Sequence, residues 1–360
     1  MTDFEEYIKQ VEPDKKEKGL IWQTAIGLQQ VDGLKPSYYL IETAKQNIEG
    51  DITFDEVKNR IDNYYKTLSN KQTGEDDRTE EADKVSARIA EILSEKTFSF
   101  SPEEYLTIHR RLFSGLYKFA GKIRDYNITK AEWLLNGETV LYAGAYNLRA
   151  TLEYDFEQEK KFNYKGLNQQ QIIEHIAHFI ADLWQIHIFG EGNTRTTAVF
   201  LIQYLRKLGF NNINNDLFAQ HSWYFRNALV RANYADLLRN IHKTDKYLIR
   251  FLSNLLLNEN NILKNRELHV DFVAPENVLV KDRNGGVNNE NGDVNGGVSL
   301  LQKQIIDFMQ QNPQISVVEI AKQTYKPRRT IENNVKKLKE KNVISRIGSD
   351  KTGSWVVLKQ

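Results

Sequence analysis

The run His187-Ile188-Phe189-Gly190-Glu191-Gly192-Asn193-Thr194-Arg195-Thr196-Thr197 lies between two apolar helical stretches and limits what the chain can build. Before it, Gln169–Gln185 repeats apolar residues at helical spacing through Ile172, Ile173, Ile176, Phe179, Ile180 and Leu183. After it, Thr197–Leu208 is apolar at Val199, Phe200, Ile202, Leu205 and Leu208, and Gly209 is placed to end that helix. Two buried helices therefore pin a short loop that holds a titratable His, an acid, two glycines, an Asn and an Arg.

Each residue type suits phosphate chemistry. Gly190 and Gly192 let the backbone come close to a ligand, and the following helix offers free N–H groups to an anion. Arg195 supplies a forked cation and Asn193 a neutral donor. Glu191 could hold Mg²⁺, and His187, with an ordinary pKa near 6.5, could take a proton from an attacking hydroxyl. On residue types alone, a polar turn with a satisfied core His fits equally well.

The order of the residues resembles the signature of the Fic (filamentation induced by cAMP) family, His-Pro-Phe-x-x-Gly-Asn-Gly-Arg-x-x-Arg. His187, Phe189, Gly192, Asn193 and Arg195 match position for position, and Glu191 matches the common acid. Ile188, Thr194 and Ala198 depart from Pro, Gly and the final Arg. The likeness covers roughly residues 30–270. It implies transfer of AMP from ATP, with Mg²⁺, to a protein hydroxyl. His187 would be the base, Glu191 the Mg²⁺ ligand, Asn193 and Arg195 phosphate ligands, and Phe189 a core anchor, with Gly190, Gly192 and Thr194 in the anion cradle. Ala198 removes the cation that usually holds the γ-phosphate, so activity is expected to be attenuated or altered.

Flanking stretches extend the resemblance. Gly121-Lys122-Ile123-Arg124 is similar to the Gly-x-x-Arg segment before the family's flap. The following 132–142, with Asn136-Gly137 between β-prone runs, has the form of a β-hairpin. In the family this flap pairs with an extended target segment; an ordinary structural hairpin is the alternative. Tyr224 and Asn233 are the nearest matches to the residues that line adenine and ribose. Glu49-Gly50 resembles the end of the family's inhibitory helix, but Lys45 stands where Ser or Thr is expected, and Ala198 removes the partner of the Glu. A plain Gly-terminated helix end is the other reading of Glu49.

Helices are expected at Tyr38–Ile48, Phe54–Leu68 (Thr53 capping, with Glu56 at the capping-box position), Ala82–Leu93, from Ser101-Pro102, from His221 and over Thr244–Leu257. Residues 69–84 read as a polar surface loop. His109 reads as a packed or surface histidine rather than a ligand.

Charge separates the C-terminus from the rest. Residues 301–360 hold 12 Lys/Arg against 5 Asp/Glu, a net +7, while the first 300 hold 37 against 43, a net −6. A basic tail on an acidic body is the shape of an attached nucleic-acid binder. Leu300–Gln311, Ser316–Gln323 and Thr330–Lys341 read as three helices, followed by two β-prone runs around Gly348–Gly353. That order resembles the winged helix-turn-helix. It implies DNA contact through Lys326, Arg328, Arg329, Lys336 and Lys337, or, since such domains also dock proteins, a protein partner. The Gly/Asn-rich 284–298 reads as a flexible linker.

The expected architecture is all-α: an N-terminal helical region at 1–95, a Fic-fold bundle with one hairpin flap at 96–270, a linker at 271–299 and a winged helix at 300–360. The absence of cysteine excludes disulfides, thiol catalysis and zinc–thiolate sites. No apolar run approaches a membrane span, so a cytoplasmic protein is expected, with a homodimer left open. Two other functions stay open: phosphate transfer of the Doc type on the same fold, and a DNA-binding regulator whose Fic domain senses nucleotide.

Overall fold

The computed structural model describes residues 2–68, 75–210, 216–272, 300–324, 328–340, 343–347 and 353–358. They fall into two compact units, one within 1–277 and one within 278–360. The expected linker lies outside the described residues except at 271–272.

The larger unit is helical throughout. Its helices are α1 Thr2–Gln10, α2 Lys16–Gly27, α3 Tyr38–Glu49, α4 Phe54–Leu68, α5 Glu75–Ser94, α6 Pro102–Phe113, α7 Leu148–Lys161, α8 Gln169–Ile186, α9 Asn193–Lys207, α10 Asp216–Asn233 and α11 Lys246–Leu257. Local chemistry sets several of the starts. Ser37 Oγ accepts from Leu40 N–H, and Ser101 caps α6 with Pro102 in its first turn. Thr53 and Glu56 form a reciprocal capping box, as do Asn168 and Gln171 at the head of α8.

The centre is α9. Every residue from Asn193 to Leu205 is buried, the condition of a helix enclosed on all sides. α5, α6 and α8 pack around it, and α8 also carries α7, α10 and α11. α2 lies between α5 and α10. The N-terminal region and the Fic-like helices thus share one hydrophobic core.

Two expectations are corrected. The polar stretch 69–84 is helical from Glu75 onward, and residues 69–74 lie outside the described residues. There Glu81, Ala82, Val85 and Ile89 give the stretch an inward face that its charged residues mask in a composition reading. At 132–142 the backbone forms no strand. Trp133–Leu135 is a 3₁₀ turn, Asn136 and Gly137 take positive φ (58° and 87°), and Glu132 N–H donates to Glu138 O at 2.9 Å. Leu134 and Leu135 are both buried, which breaks the alternation a strand needs, and Val270 N–H takes the Leu134 carbonyl at 2.9 Å. The Asn-Gly turn survives as the tip of a docked loop.

The smaller unit holds α12 Leu300–Gln311, α13 Val317–Gln323, α14 Arg328–Glu340 and the antiparallel pair β1 Ile344–Ile347 and β2 Ser354–Val357, in register Ile344↔Val357. Ile305, Met309, Ile320, Ile331, Leu338 and Trp355 form its core. α14 begins two residues earlier than expected, so Arg328 and Arg329 stand on the helix itself.

At Gly27, α2 meets α10 with no room for a side chain: a Cβ there would fall 2.2 Å from Ala219 Cα. Gly27→Ala should therefore destabilise the larger unit by about 1–3 kcal/mol, the cost of overpacking a close helix crossing. Urea unfolding measures it, and a midpoint equal to that of the wild type would contradict this packing.

Candidate active site

Helix α8 stops because His187 takes the left-handed conformation (φ 48°, ψ 52°), a position glycine usually fills. The conformation is held from outside. Arg124 donates from its guanidinium to the carbonyls of His187 (2.7 Å), Ile186 (3.3 Å), Ala143 (2.6 Å) and Tyr126 (2.5 Å), and its backbone N–H reaches Ile188 O at 3.0 Å. One side chain thus satisfies the orphan carbonyls at the end of the helix and fixes the direction in which the loop leaves it.

Within the loop, Asn193 closes a small ring. Its Nδ2 donates to Phe189 O at 2.9 Å and its Oδ1 accepts from Phe189 N–H at 3.0 Å. Phe189 is buried and stacks on His109 with centroids 3.7 Å apart. His109 Nδ1 accepts from Gly121 N–H at 2.8 Å, so its proton sits on Nε2, which donates to Glu191 O at 2.9 Å. Gly192 has φ 79°, and a Cβ there would strike the Phe113 ring at 2.4 Å.

His187 is buried at 3% exposure, with the Tyr142 ring centroid 4.2 Å away and Trp184 edge-on at 5.1 Å. No side chain among the described residues hydrogen-bonds either ring nitrogen, and the backbone of Trp184 favours the protonated ring. Burial, reinforced by the cations Lys130, Arg124 and Arg226, holds its pKa well below 6.5. The imidazole is neutral at pH 7 and able to accept a proton.

The loop contributes Glu191 and Arg195, though not His187, to the lining of a cavity of about 510 Å³. Lys130, Glu132, Trp133, Trp223, Arg226 and Asn227 face them. Most of the charges are paired. Lys130 Nζ spans both Glu191 oxygens at 3.0 and 3.1 Å, and Arg226 forks onto Glu132 at 2.7 and 2.9 Å. Arg195 is fully buried: Nη2 donates to Glu81 at 2.6 Å, Nη1 to Gln29 at 3.1 Å, and Asp32 Oδ2 lies 2.8 Å from Nε as an ion pair. Thr194, placed where the signature has Gly, accepts from Trp184 Nε1 at 3.0 Å. No side chain caps the first turn of α9.

The structure thus brings His187, Gly190, Glu191, Gly192, Asn193, Thr194 and Arg195 into one loop, but gives Asn193 and Arg195 structural partners in place of an open face. Other expected residues stand elsewhere. Tyr224 is fully buried beside Phe251, and Asn233 Nδ2 donates to Ala181 O and Leu229 O, bracing α10 on α8. The cavity face of α10 is Trp223, Arg226 and Asn227. The signal for it was present in part: Tyr224, Phe225, Ala228 and Leu229 form the apolar stripe and turn Trp223 and Arg226 away from it, while Asn227 is itself buried. Glu49 is exposed, accepts from Tyr7 Oη at 2.6 Å and Lys15 Nζ at 2.7 Å, and does not line the cavity. It ends α3 at Gly50, whose φ is 89°.

In the smaller unit, α14 turns Ile331, Val335 and Leu338 inward, and Arg328, Arg329, Lys336 and Lys337 to solvent. Arg328 is tied to Glu332 at 2.7 Å. Lys326 lies outside the described residues.

Residues 99–205 match the Fic/DOC family and residues 299–345 the winged helix-turn-helix DNA-binding family. The chain therefore carries a Fic domain and a C-terminal winged helix. It is 26% identical over 112 residues to the protein adenylyltransferase VbhT of Bartonella schoenbuchensis, a match spanning 31% of this chain and 22% of that relative's length. Two crystal structures are similar. The N-terminal FIC domain of Bep8, a VirB-translocated effector of Bartonella sp. 1-1C, is 17% identical, with 51% of this chain and 87% of that one covered at a TM-score of 0.39. A Fic family protein of Desulfovibrio desulfuricans is 12% identical, with 98% and 90% covered at 0.44.

Burial pushes the His109 pKa down to about 4, because the folded loop has no place for a second ring proton. The unfolded chain takes that proton below about 6.5, so this residue makes stability fall as pH drops from 6.5 toward 4 and level off below. Between pH 7 and pH 5 the loss should be of the order of 2 kcal/mol. His109→Gln, which can still accept from Gly121 and donate to Glu191, should show a correspondingly flatter dependence of urea midpoint on pH. Parallel pH profiles for the two proteins would remove His109 from this role.

Proposed function

We propose that the chain is a Fic-type transferase that moves AMP from ATP to a hydroxyl group of a protein target. The observation that carries this is His187, a buried neutral imidazole with no side-chain hydrogen-bond partner among the described residues, at the head of the loop whose Glu191 and Arg195 line the cavity. The target's hydroxyl oxygen attacks the α-phosphorus, its proton passes to His187, and pyrophosphate leaves. Tyr142 covers His187, so it must swing aside for a hydroxyl to arrive. The uncapped first turn of α9 offers N–H groups to the phosphates, and Lys130 supplies the cation that Ala198 does not.

Mg²⁺ fits one position. Among the described residues no three acids or histidines form a metal cage. The Glu191 carboxylate is 45% exposed, however, and suits an ion that takes one protein oxygen and completes its shell with phosphate and water. Bound there, Mg²⁺ would screen phosphate charge, and Glu191 would exchange its contact with Lys130 for one with the metal. Arg195, already balanced by Asp32 and Glu81, serves mainly to anchor the loop helix. The docked loop 132–142 leaves Trp133 and Leu141 exposed, which suits contact with a target. No helix among the described residues is long and apolar enough to cross a membrane, in keeping with work on cytoplasmic targets.

His187→Ala should lower transfer by at least about a hundredfold, as loss of a general base does, while nucleotide affinity stays within about threefold. With separately labelled ATP, only the α-phosphate label should reach protein. Label from the γ-phosphate would replace AMP transfer with phosphate transfer on the same residues.

The C-terminal winged helix is proposed to bind DNA along α14, whose outer face carries Arg328, Arg329, Lys336 and Lys337. Affinity should fall by about 0.9 log units per log unit of salt for each phosphate neutralised. Arg329→Ala with Lys337→Ala in the full chain should reduce that slope by about 2. A slope that is flat from the outset would make this domain a protein-docking module.

A further inference from the structure

Among the described residues, the cations lining the cavity are Arg78, Lys130, Arg195 and Arg226. Three of them already hold carboxylates: Lys130 pairs with Glu191, Arg226 with Glu132, and Arg195 with Asp32 and Glu81. Arg78 differs. It stands on α5, outside the residues 99–205 that match the Fic/DOC family, and its side chain is exposed at the rim. Its Nη2 donates to the backbone carbonyl of Asp32 at 3.0 Å, and no carboxylate among the described residues pairs with it. A neutral carbonyl orients a guanidinium without cancelling its charge. Asp32 is itself fixed, because its carboxylate lies 2.8 Å from Arg195 Nε.

An anion that enters this cavity can meet Arg78 without breaking an ion pair, whereas each of the other three must first give up an acid. A guanidinium also matches the paired oxygens of a terminal phosphate. The cations that act on His187 are Lys130, Arg124 and Arg226, while Arg78 joins the group around Arg195 by way of Asp32. We infer that Arg78 receives the outer phosphates of a nucleoside triphosphate, the end remote from the phosphorus under attack, and so selects triphosphate over monophosphate. In the transfer, a bond forms from the hydroxyl oxygen to the α-phosphorus and the bond from that phosphorus to the bridging oxygen breaks. The proton passes to His187 and the electron pair stays on pyrophosphate, whose growing charge Arg78 would offset. Lys130 and Arg78 then divide the phosphates, Lys130 toward His187 and Arg78 at the rim. This inference rests on the nucleotide reading proposed above and names a residue beyond the signature loop that serves it.

The test is calorimetry on the full chain with ATP, AMP and inorganic pyrophosphate. Arg78→Gln should weaken ATP and pyrophosphate by about tenfold, the low end for a charged hydrogen bond because the group is exposed, and leave AMP within about twofold. Gln can still donate to the Asp32 carbonyl, so the turn keeps its support, and an unchanged urea midpoint confirms it. Arg78→Lys, which keeps the charge without the fork, should recover part of the loss. Wild-type ATP and pyrophosphate affinity in Arg78→Gln would overturn the inference. So would an equal loss for ATP and AMP, which would make Arg78 a prop for the turn at Asp32. If the wild type binds pyrophosphate through Arg78 but neither nucleotide, the nucleotide reading fails and the anion site stands. If none of the three binds, both fall.

Discussion

The buried guanidinium of Arg195 ties the larger unit together. It belongs to the central helix α9, yet its partners come from the turn after α2 (Gln29 and Asp32), from α5 (Glu81) and from the segment after α6 (Tyr117). The Phe113 ring lies 4.8 Å from its centre. A charge enclosed to this degree is tolerable only when its partners are all present, and each partner is fixed in turn by the helix that carries it. The loop at the head of α9 therefore inherits its position from three parts of the fold distant in sequence.

The same balance runs across the cavity. Lys130 answers Glu191, Arg226 answers Glu132, and Asp32 with Glu81 answers Arg195. An anion entering the cavity past Arg78 would meet cations that already have anions, so its binding would be an exchange of partners rather than a simple attraction. Exchange is easiest at Glu191 and Lys130, whose side chains are 45% and 25% exposed, and hardest at Arg195, at 1%. That gradient separates the residues of the loop into those able to meet a ligand and those that keep the loop in shape.

Much of this was legible in the sequence. Helical periodicity located α8, α9 and α11, cap residues located the starts of α4 and α6, and residue order gave the loop with its His. What escaped has definite causes. Asp32 and Glu81 are ordinary acids in polar stretches, and only the folded chain shows that they face Arg195. The flap-like loop misled because an Asn-Gly turn specifies a reversal, not the strands on either side of it. Placing ligand contacts at Tyr224 and Asn233 followed a family likeness, whereas the facing of α10 is set by its own apolar stripe. For Glu49 the glycine-ended helix was legible, but its contacts with Tyr7 and Lys15 were not, because a helix end looks the same whatever its last acid touches.

The reach of the Arg195 contacts bears on the order in which the protein is made. Residues 1–95 leave the ribosome first, with Asp32 and Glu81 in place but their cation still a hundred residues from synthesis. α2 has α5 against one side at that stage, while α10, its other neighbour, does not yet exist. The N-terminal region shares its core with the helices that follow, so residue 95 lies inside one compact unit. A fragment cut there would expose the surface of α2 around Gly27 that Ala219 covers, and a fragment beginning there would strand a cation inside its core.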